Sequence, residues 1–296
     1  MMHVLVTGGS GYAGRFIVEA LLAAGHSVAT TGRTEPDAGF FSGPVDFIGA
    51  DLEPANAKRT LFNGVDGFVH AAFHHVPGRF RGGEGDDPET FRRLNLDGSV
   101  ALFAAAKQAG VSRAVFLSSR AVYGAQPPGV VLDETTAPQP DTLYGEVKLA
   151  AERAIAAMAD DGFLPIALRA TGIYGPAGPG RRHKWAELFA TCEAREDIPP
   201  RVGTEVHGDD MAAAVRLMLE GDADGLRAGS SPDLVFNLSD ILLDRHDLLA
   251  EYVRITGLGA PLPQRADASA FNAMDCTRLK RLGWTPRGRL DLGGLV

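Results

Sequence analysis

The chain has 296 residues, of which 45% are hydrophobic and 22% charged, and this composition excludes an intrinsically disordered chain. Its 29 Lys and Arg against 37 Asp and Glu give a net charge of −8, so the sequence lacks the broad positive field that a nucleic acid partner requires. Cys192 and Cys276 have neither disulfide-framework nor zinc-ligand spacing, and we expect two reduced, structural thiols and no metal site.

The first 170 residues alternate short apolar runs with longer segments in which apolar residues recur three and four positions apart. This alternation is typical of parallel βαβ units and predicts an α/β fold with a doubly wound parallel sheet, a Rossmann fold. The predicted strands, in chain order, are His3–Thr7, Ser27–Thr31, Asp46–Ile48, Gly67–Ala72, Ala114–Ser118 and Pro165–Arg169.

After Arg169 the pattern changes to Gly- and Pro-rich connections, with helices expected near Trp185–Ala194 and Asp209–Leu219 and a further strand in LVFNLSD. We therefore predict a Rossmann domain over residues 1–170, to which about 205–240 return. Residues 171–204 and 241–296 are predicted to form a smaller substrate-binding lobe over the carboxyl edge of the sheet. Trp185 and Trp284 are expected to pack in the core.

The chain begins directly with an apolar strand and has none of the features of a signal peptide. No uninterrupted apolar segment approaches the roughly 20 residues that span a bilayer. We therefore expect a cytoplasmic protein without a membrane partner.

A glycine-rich turn lies between the first predicted strand and the first helix, with Gly8, Gly11 and Gly14 at three-residue steps. In such a turn the glycines permit the bend, the close approach of a pyrophosphate and the packing of helix on strand, while the helix N-terminus attracts the anion. The sequence therefore predicts a dinucleotide site at the start of the chain.

The end of the second strand indicates which dinucleotide binds. An acidic residue here would accept hydrogen bonds from the adenosine ribose, but the sequence has Gly32 at this place. Arg33 follows, with a guanidinium suited to a 2′-phosphate. NADP is therefore predicted to be preferred over NAD, with mixed cofactor use as the alternative.

Tyr144 and Lys148 are four residues apart in a predicted helix and so share one face. A nearby ammonium favours the phenolate of a tyrosine, which makes the phenol a usable proton donor and acceptor near neutral pH. Ser119, at the end of the fifth predicted strand, can hold the oxygen of the substrate.

The chain resembles the extended short-chain dehydrogenases/reductases, the NAD-dependent epimerase/dehydratase family. The motifs that carry the resemblance occur in family order: TGGSGYAG, GADL at Gly49–Leu52, VHAA at Val69–Ala72, NLDGS at Asn95–Ser99, SSRAVYG, YGEVK, LRATGIYGP at Leu168–Pro176, VHGDDMA at Val206–Ala212 and LGWTP at Leu282–Pro286. They cover the chain nearly from end to end.

The resemblance implies hydride transfer at a carbon that bears oxygen, with Ser119, Tyr144 and Lys148 as catalytic residues. Tyr144 would act as acid and base, and Lys148 would hold the nicotinamide ribose. The residues implied at the cofactor are Gly8, Gly11, Tyr12, Ala13, Gly14, Arg33, Asp51, Leu52, Ala71, Ala72, Phe73, Asn95, Tyr144, Lys148, Thr171 and Ile173. A homodimer through the helices near Phe91–Ala109 and Leu143–Ala159 is also implied.

The substrate is open at this stage. Many nucleotide-sugar members carry an Asn where this chain has Gly172 and an Arg just before the VH pair, and the sequence has neither. The leading hypothesis is an NAD(P)-dependent oxidoreductase acting on a small, sugar-like or acidic compound. A nucleotide-sugar 4-epimerase with tightly bound NAD and a non-catalytic dinucleotide sensor are the alternatives. The candidate substrate residues are His74, Arg120, Arg181, Arg182 and Arg265.

The residues that follow Ser119 argue against a sugar-nucleotide dehydratase. Dehydratase relatives place an Asp-Glu pair there, because elimination of water needs an additional acid and base. This chain has Arg120 and Ala121, and neither can take those parts at neutral pH. Arg120 either binds an anionic group of the substrate or pairs with a surface carboxylate.

Overall fold

The computed structural model describes residues 1–76, 83–230 and 232–296. In these residues, seven parallel strands form the main sheet in the order β3-β2-β1-β4-β5-β6-β9. Numbered in chain order, they are β1 His3–Thr7, β2 Ser27–Gly32, β3 Asp46–Gly49, β4 Gly67–His70, β5 Arg113–Ser119, β6 Leu164–Ala170 and β9 Val235–Leu238. The doubly wound sheet and all seven predicted strands are confirmed, with ends shifted by up to two residues.

The main sheet is covered by helices on both faces, and its central strands are therefore mostly apolar runs rather than alternating ones. β4 and β6 are buried at every position. Helices α1 (Tyr12–Ala23) and α6 (Gly208–Glu220) pack on one face, and α3 (Gly98–Ala109) and α4 (Leu143–Ala156) pack on the other.

Five further helices complete the described chain. They are α2 (Pro88–Arg92), α5 (Ala186–Glu193), α7 (Ala223–Ser230), α8 (Arg245–Thr256) and α9 (Thr277–Arg281). A π-helical turn at Arg93–Asp97 joins α2 to α3, and 3₁₀ turns occupy Pro54–Asn56, Arg59–Phe62 and Arg120–Tyr123. Between β4 and α2, residues 77–82 lie outside the described residues.

A second sheet, which the sequence pattern did not predict, lies beyond the carboxyl edge of β6. Its strand β8 (Val202–His207) pairs in parallel with β7 (Gly172–Tyr174) and antiparallel with β10 (Ile241–Asp244). The aromatic rings of Phe189 on α5 and Tyr252 on α8 stack with centroids 4.0 Å apart in a core of their own. This small core holds residues from both predicted lobe segments.

Both tryptophans and both cysteines lie in the interior, as expected. Trp185 and Trp284 are buried, at 6% and 3% exposure. Cys192 and Cys276 are free and buried. Within the described ranges there is no grouping of acidic, His and Cys side chains that could hold a metal ion. The helices described here are all too short or too polar to cross a bilayer.

Candidate active site

The glycine turn between β1 and α1 leaves no room for a side chain at Gly8 or at Gly14. Gly8 has a φ of +73°, and a Cβ there would lie 2.7 Å from the Cα of Ala72. A Cβ at Gly14 would lie 2.1 Å from the carbonyl oxygen of Gly8. Gly11 begins α1 without a side-chain cap, and the first turn carries no acidic residue. The first amides of α1 are therefore available to an anion, and the turn fits the pyrophosphate of a dinucleotide.

Arg33 and Asp51 are the residues expected at the adenosine end of the cofactor. Arg33 follows β2 directly and is exposed. The Asp51 carboxylate accepts hydrogen bonds from the Glu53 amide (3.0 Å) and the Asn56 side-chain amide (2.9 Å), which hold the pKa of Asp51 below its usual range. The carbonyl of Leu52 packs against Gly98 at the start of α3. Of these residues, only Arg33 brings a positive charge.

Tyr144 and Lys148 lie on one face of α4, and Thr142 caps this helix by accepting a hydrogen bond from the Gly145 amide (3.1 Å). The Lys148 ammonium donates to the carbonyl of Leu117 (2.8 Å), two residues before Ser119. The ammonium also lies 4.5 Å from the ring centroid of Phe73 and 6.0 Å from that of Tyr144. The structure thus brings the predicted Tyr and Lys to the end of β5.

Burial dominates the electrostatics of Lys148. The side chain is 5% exposed, and this burial lowers the pKa of Lys148 to about 7, against the opposing effect of the Glu152 carboxylate.

His70 lies near Lys148, with its Nδ1 atom 2.6 Å from the Thr7 hydroxyl and its Nε2 atom 2.8 Å from the Ser99 hydroxyl. Burial and the Lys148 charge lower the pKa of His70 to about 3, so this imidazole stays neutral.

The two serines at the end of β5 point to different surroundings. Ser118 is buried and donates a hydrogen bond to Glu152, whose carboxylate also binds the guanidinium of Arg169 at 2.8 Å. Ser119 is half-buried, and its hydroxyl accepts from the amide of Ala121 (3.1 Å). Side chains alternate along a strand, so Ser118 supports the core and Ser119 faces the edge of the sheet.

The buried network beneath Lys148 was not identified from the sequence. Arg169 donates to the hydroxyl of Tyr123 (3.1 Å), which in turn donates to the side-chain carbonyl of Asn237 (2.7 Å). Glu152 follows Lys148 by four residues on α4, and this helical spacing was the one signal that could have indicated it.

Asn95 acts on the loop that follows β4. Its side-chain amide accepts from the backbone N–H of His74 (2.7 Å) and donates to the backbone carbonyl of His74 (2.8 Å). Asn95 lies in the π-helical turn and is buried. These two bonds fix the backbone beyond Phe73, while the side chain of His74 is exposed.

The predicted cationic substrate residues are not gathered at one place. Arg181 lies over the ring of Phe40 (5.7 Å), and Arg182 pairs with Glu187 (3.6 Å). Arg265, expected to meet a phosphate, forms a two-pronged pair with Asp247 (2.6 and 2.8 Å). Arg120 donates to the carbonyl of Asn272 in the C-terminal segment (2.8 Å).

An ion pair lies against Gly172, just beyond β6. Lys184 binds Glu205 of β8, and both side chains lie against Gly172, where a Cβ would be 2.3 Å from each charged group. Thr171, a predicted cofactor residue, donates to the carbonyl of Thr204 on β8 (2.6 Å). Ile173, a second predicted cofactor residue, lies in β7. Tyr12, a third, donates from its hydroxyl to the carbonyl of Gly175 (2.7 Å).

The Rossmann sheet, the glycine turn and the paired Tyr and Lys define a class of dinucleotide-dependent enzymes. A model of the NAD dependent epimerase/dehydratase family matches residues 4–234, and the chain belongs to that family. The expected family membership is thereby confirmed.

Three similar proteins show the range of the family. UDP-glucose 4-epimerase of Lacticaseibacillus casei is 33% identical over 225 residues, which cover 71% of this chain and 64% of that protein. The 3 beta-hydroxysteroid dehydrogenase/Delta 5-->4-isomerase of Mycobacterium tuberculosis is 33% identical over 240 residues, covering 75% of this chain and 63% of that protein. This chain thus spans less than two-thirds of both. The solved structure of MoeE5 with UDP-glucuronic acid and NAD is 26% identical, with a TM-score of 0.75 and coverage of 99% and 96%.

Proposed function

We propose that this chain is an NAD(P)-dependent oxidoreductase of the extended short-chain dehydrogenase type, which transfers hydride at a carbonyl or hydroxyl carbon of a small polar substrate. The observation that carries the proposal is the Lys148 ammonium, buried beside the Tyr144 ring at the end of β5. Burying this ammonium 6.0 Å from the phenol ring costs folding free energy, and a Leu or Met at position 148 would fill the same space at a lower cost. The buried charge therefore indicates a functional role.

The residues divide the reaction between them. A bound nicotinamide supplies or accepts the hydride. Ser119 donates a hydrogen bond to the oxygen on the reacting carbon, and Tyr144 gives a proton to that oxygen or takes one from it. Lys148 in its ammonium form favours the phenolate of Tyr144 and donates to the ribose of the cofactor. The glycine turn and the open amides of α1 hold the pyrophosphate.

Both nicotinamide cofactors are compatible with the adenosine end of the site. Arg33 favours NADP, because its guanidinium can pair with a 2′-phosphate. Position 32, where an acidic residue would bind the ribose hydroxyls of NAD, is a glycine. NAD is bound in the MoeE5 structure, whose fold this chain shares. We therefore propose that the chain accepts either cofactor, with the preference set by Arg33.

Replacing Tyr144 by Phe tests the mechanism. Tyr144→Phe removes only the hydroxyl, so turnover should fall at least a hundredfold, as loss of general acid catalysis does, while cofactor affinity stays within about twofold. Tyr252→Phe is the matched control, because Tyr252 is a buried tyrosine in the small core and its hydroxyl binds Glu193. Near-normal turnover in Tyr144→Phe would refute the proposal.

A nucleotide-sugar 4-epimerase is the second candidate, and the similarity to the Lacticaseibacillus casei enzyme favours it. Against it stands the lack of the Asn and the Arg that many nucleotide-sugar members carry at the place of Gly172 and just before the VH pair. An epimerase retains its cofactor through repeated turnovers. Cofactor that stays with the purified protein through dialysis would support the epimerase, and cofactor that exchanges freely would support the oxidoreductase.

A further inference from the structure

The ring of Phe73 contacts both Lys148 and Tyr144. The Lys148 ammonium lies over the face of this ring, 4.5 Å from its centroid. The Tyr144 ring packs edge-to-face with it, with centroids 5.0 Å apart and planes at 84°. A single aromatic side chain, in the loop that follows β4, therefore touches the proposed proton donor and the lysine that supports it.

Neighbours on two sides hold the Phe73 ring in this position. Phe91 of α2 is buried and packs edge-to-face with it, with centroids 5.4 Å apart. Along the chain, Asn95 binds both the backbone N–H and the backbone carbonyl of His74, the next residue. The contacts of the ring with Lys148 and Tyr144 are therefore built into the folded chain.

The surroundings of the Lys148 ammonium give the ring a task. A second ring, that of Phe116 on β5, lies 4.6 Å from the ammonium, which donates to the carbonyl of Leu117 (2.8 Å). Burial favours the neutral amine, because water no longer solvates the charge. The negative face of an aromatic ring attracts a cation, and this attraction is stronger where both groups are shielded from water. The two rings therefore offset part of the cost of burying the charge.

The charged and titratable groups near Lys148 lie on three elements. Glu152 lies one turn further along α4 and favours the ammonium, but its carboxylate also binds the guanidinium of Arg169 on β6 (2.8 Å). His70 on β4 stays neutral, and Tyr144 on α4 is neutral as a phenol. Because Arg169 offsets much of the Glu152 charge, the rings are an important support of the ammonium.

Building on the proposed function, we infer that Phe73 is a positioning residue of the active site. Its ring favours the ammonium form of Lys148 and fixes the ring of Tyr144 beside it. The reaction needs this form, because the ammonium favours the phenolate of Tyr144 and donates to the cofactor. A leucine at position 73 would fill space there without supplying the negative face of a ring.

A ring of nearly the same outline but without a negative face tests the inference. Phe73→pentafluorophenylalanine is introduced by nonsense suppression, and urea unfolding of the cofactor-free protein gives the factor by which it raises the equilibrium constant for unfolding. This factor should be about threefold to tenfold larger at pH 6, where Lys148 is protonated in the folded chain, than at pH 9, where it is neutral. Effects of ring shape, or of the contact with Tyr144, would be equal at both pH values.

Two further variants serve as controls, all at one protein concentration. Phe62→pentafluorophenylalanine is the matched control, because Phe62 is buried and packs on Phe68 (5.0 Å), and its factor should differ by less than about twofold between the two pH values. Phe73→Tyr keeps the ring face and should restore the wild-type dependence on pH. A factor for the fluorinated Phe73 variant that is equal at pH 6 and pH 9, or larger at pH 9, would show that the ring does not support the charge.

Unfolding is measured without turnover, so the inference and the proposed function fail separately. In an active chain, the fluorinated ring at position 73 should also lower the pH above which hydride transfer declines, by about 0.5 to 1.5 pH units. A chain that shows the pH-dependent factor but never transfers hydride would refute the proposed function alone. A chain that transfers hydride without the pH-dependent factor would refute the inference alone.

Discussion

Replacing Lys148 by Met should stabilise the folded chain while removing its proposed activity. Burial lowers the pKa of Lys148 from its usual 10.5 to about 7, so the folded protein holds this proton less tightly than the unfolded chain does. The unfolded chain therefore binds more protons between these two pH values, and wild-type stability rises with pH in this window. Met keeps most of the side-chain volume and has no charge to desolvate.

The magnitude follows from the size of the shift. The buried ammonium costs the folded state about 4 kcal/mol at pH 7 and about 2 kcal/mol at pH 9. The substitution also leaves the carbonyl of Leu117 without the Lys148 donor, which costs about 1–3 kcal/mol. Lys148→Met should thus be more stable than wild type by about 1–3 kcal/mol at pH 7, and this advantage should shrink by about 2 kcal/mol by pH 9.

Urea unfolding of the cofactor-free protein, followed by the fluorescence of the buried Trp185 and Trp284, measures both differences. Lys58→Met is the control, because Lys58 is exposed, and its stability should stay within about 0.5 kcal/mol of wild type at every pH. If Lys148→Met is less stable than wild type at pH 7, and the difference does not change with pH, Lys148 is not the buried ammonium that the account requires.

Three further predictions concern the cofactor, the assembly and the reaction. Arg33→Ala should weaken NADP binding by about tenfold or more with little change for NAD, and an unchanged ratio in kinetics with both cofactors would remove Arg33 from the site. Light scattering at micromolar concentration should show a homodimer that packs through α3 and α4, and a monomer would refute this interface. Mass spectrometry should detect no product lighter by one water from nucleotide-hexoses, because Arg120 and Ala121 supply no acid or base.

Most of the main sheet could be predicted because its central strands β1, β4, β5 and β6 are largely buried and form mostly apolar runs. The glycine turn and the Tyr144–Lys148 pair could also be predicted, because their spacing along the chain fixes their geometry. The second sheet was not predicted, because β7 has only three residues and β8 mixes Gly, Thr and Glu with its two valines. Such strands are stabilised by tertiary contacts that no local pattern shows.

The surroundings of Arg120 show why the candidate site was only partly predictable. Its position after Ser119 indicated a charge at the end of a strand, but the contact with Asn272 joins residues 152 positions apart. The Glu152–Arg169 pair likewise joins a helix to a strand within the buried network. Sequence spacing constrains neighbours on one helix or strand, whereas these contacts depend on how whole elements pack.

Transfer of deuterium from a labelled cofactor tests the central claim most directly. The protein is incubated with reduced nicotinamide cofactor that carries deuterium on the transferring face, together with carbonyl forms of sugars and sugar acids, and the products are analysed by mass spectrometry. The account predicts that wild type places one deuterium on the former carbonyl carbon and that Tyr144→Phe, which still binds the cofactor, places none. A wild-type protein that binds the cofactor but transfers no deuterium to any of these compounds, or a Tyr144→Phe variant that transfers it as fast as wild type, would contradict the account.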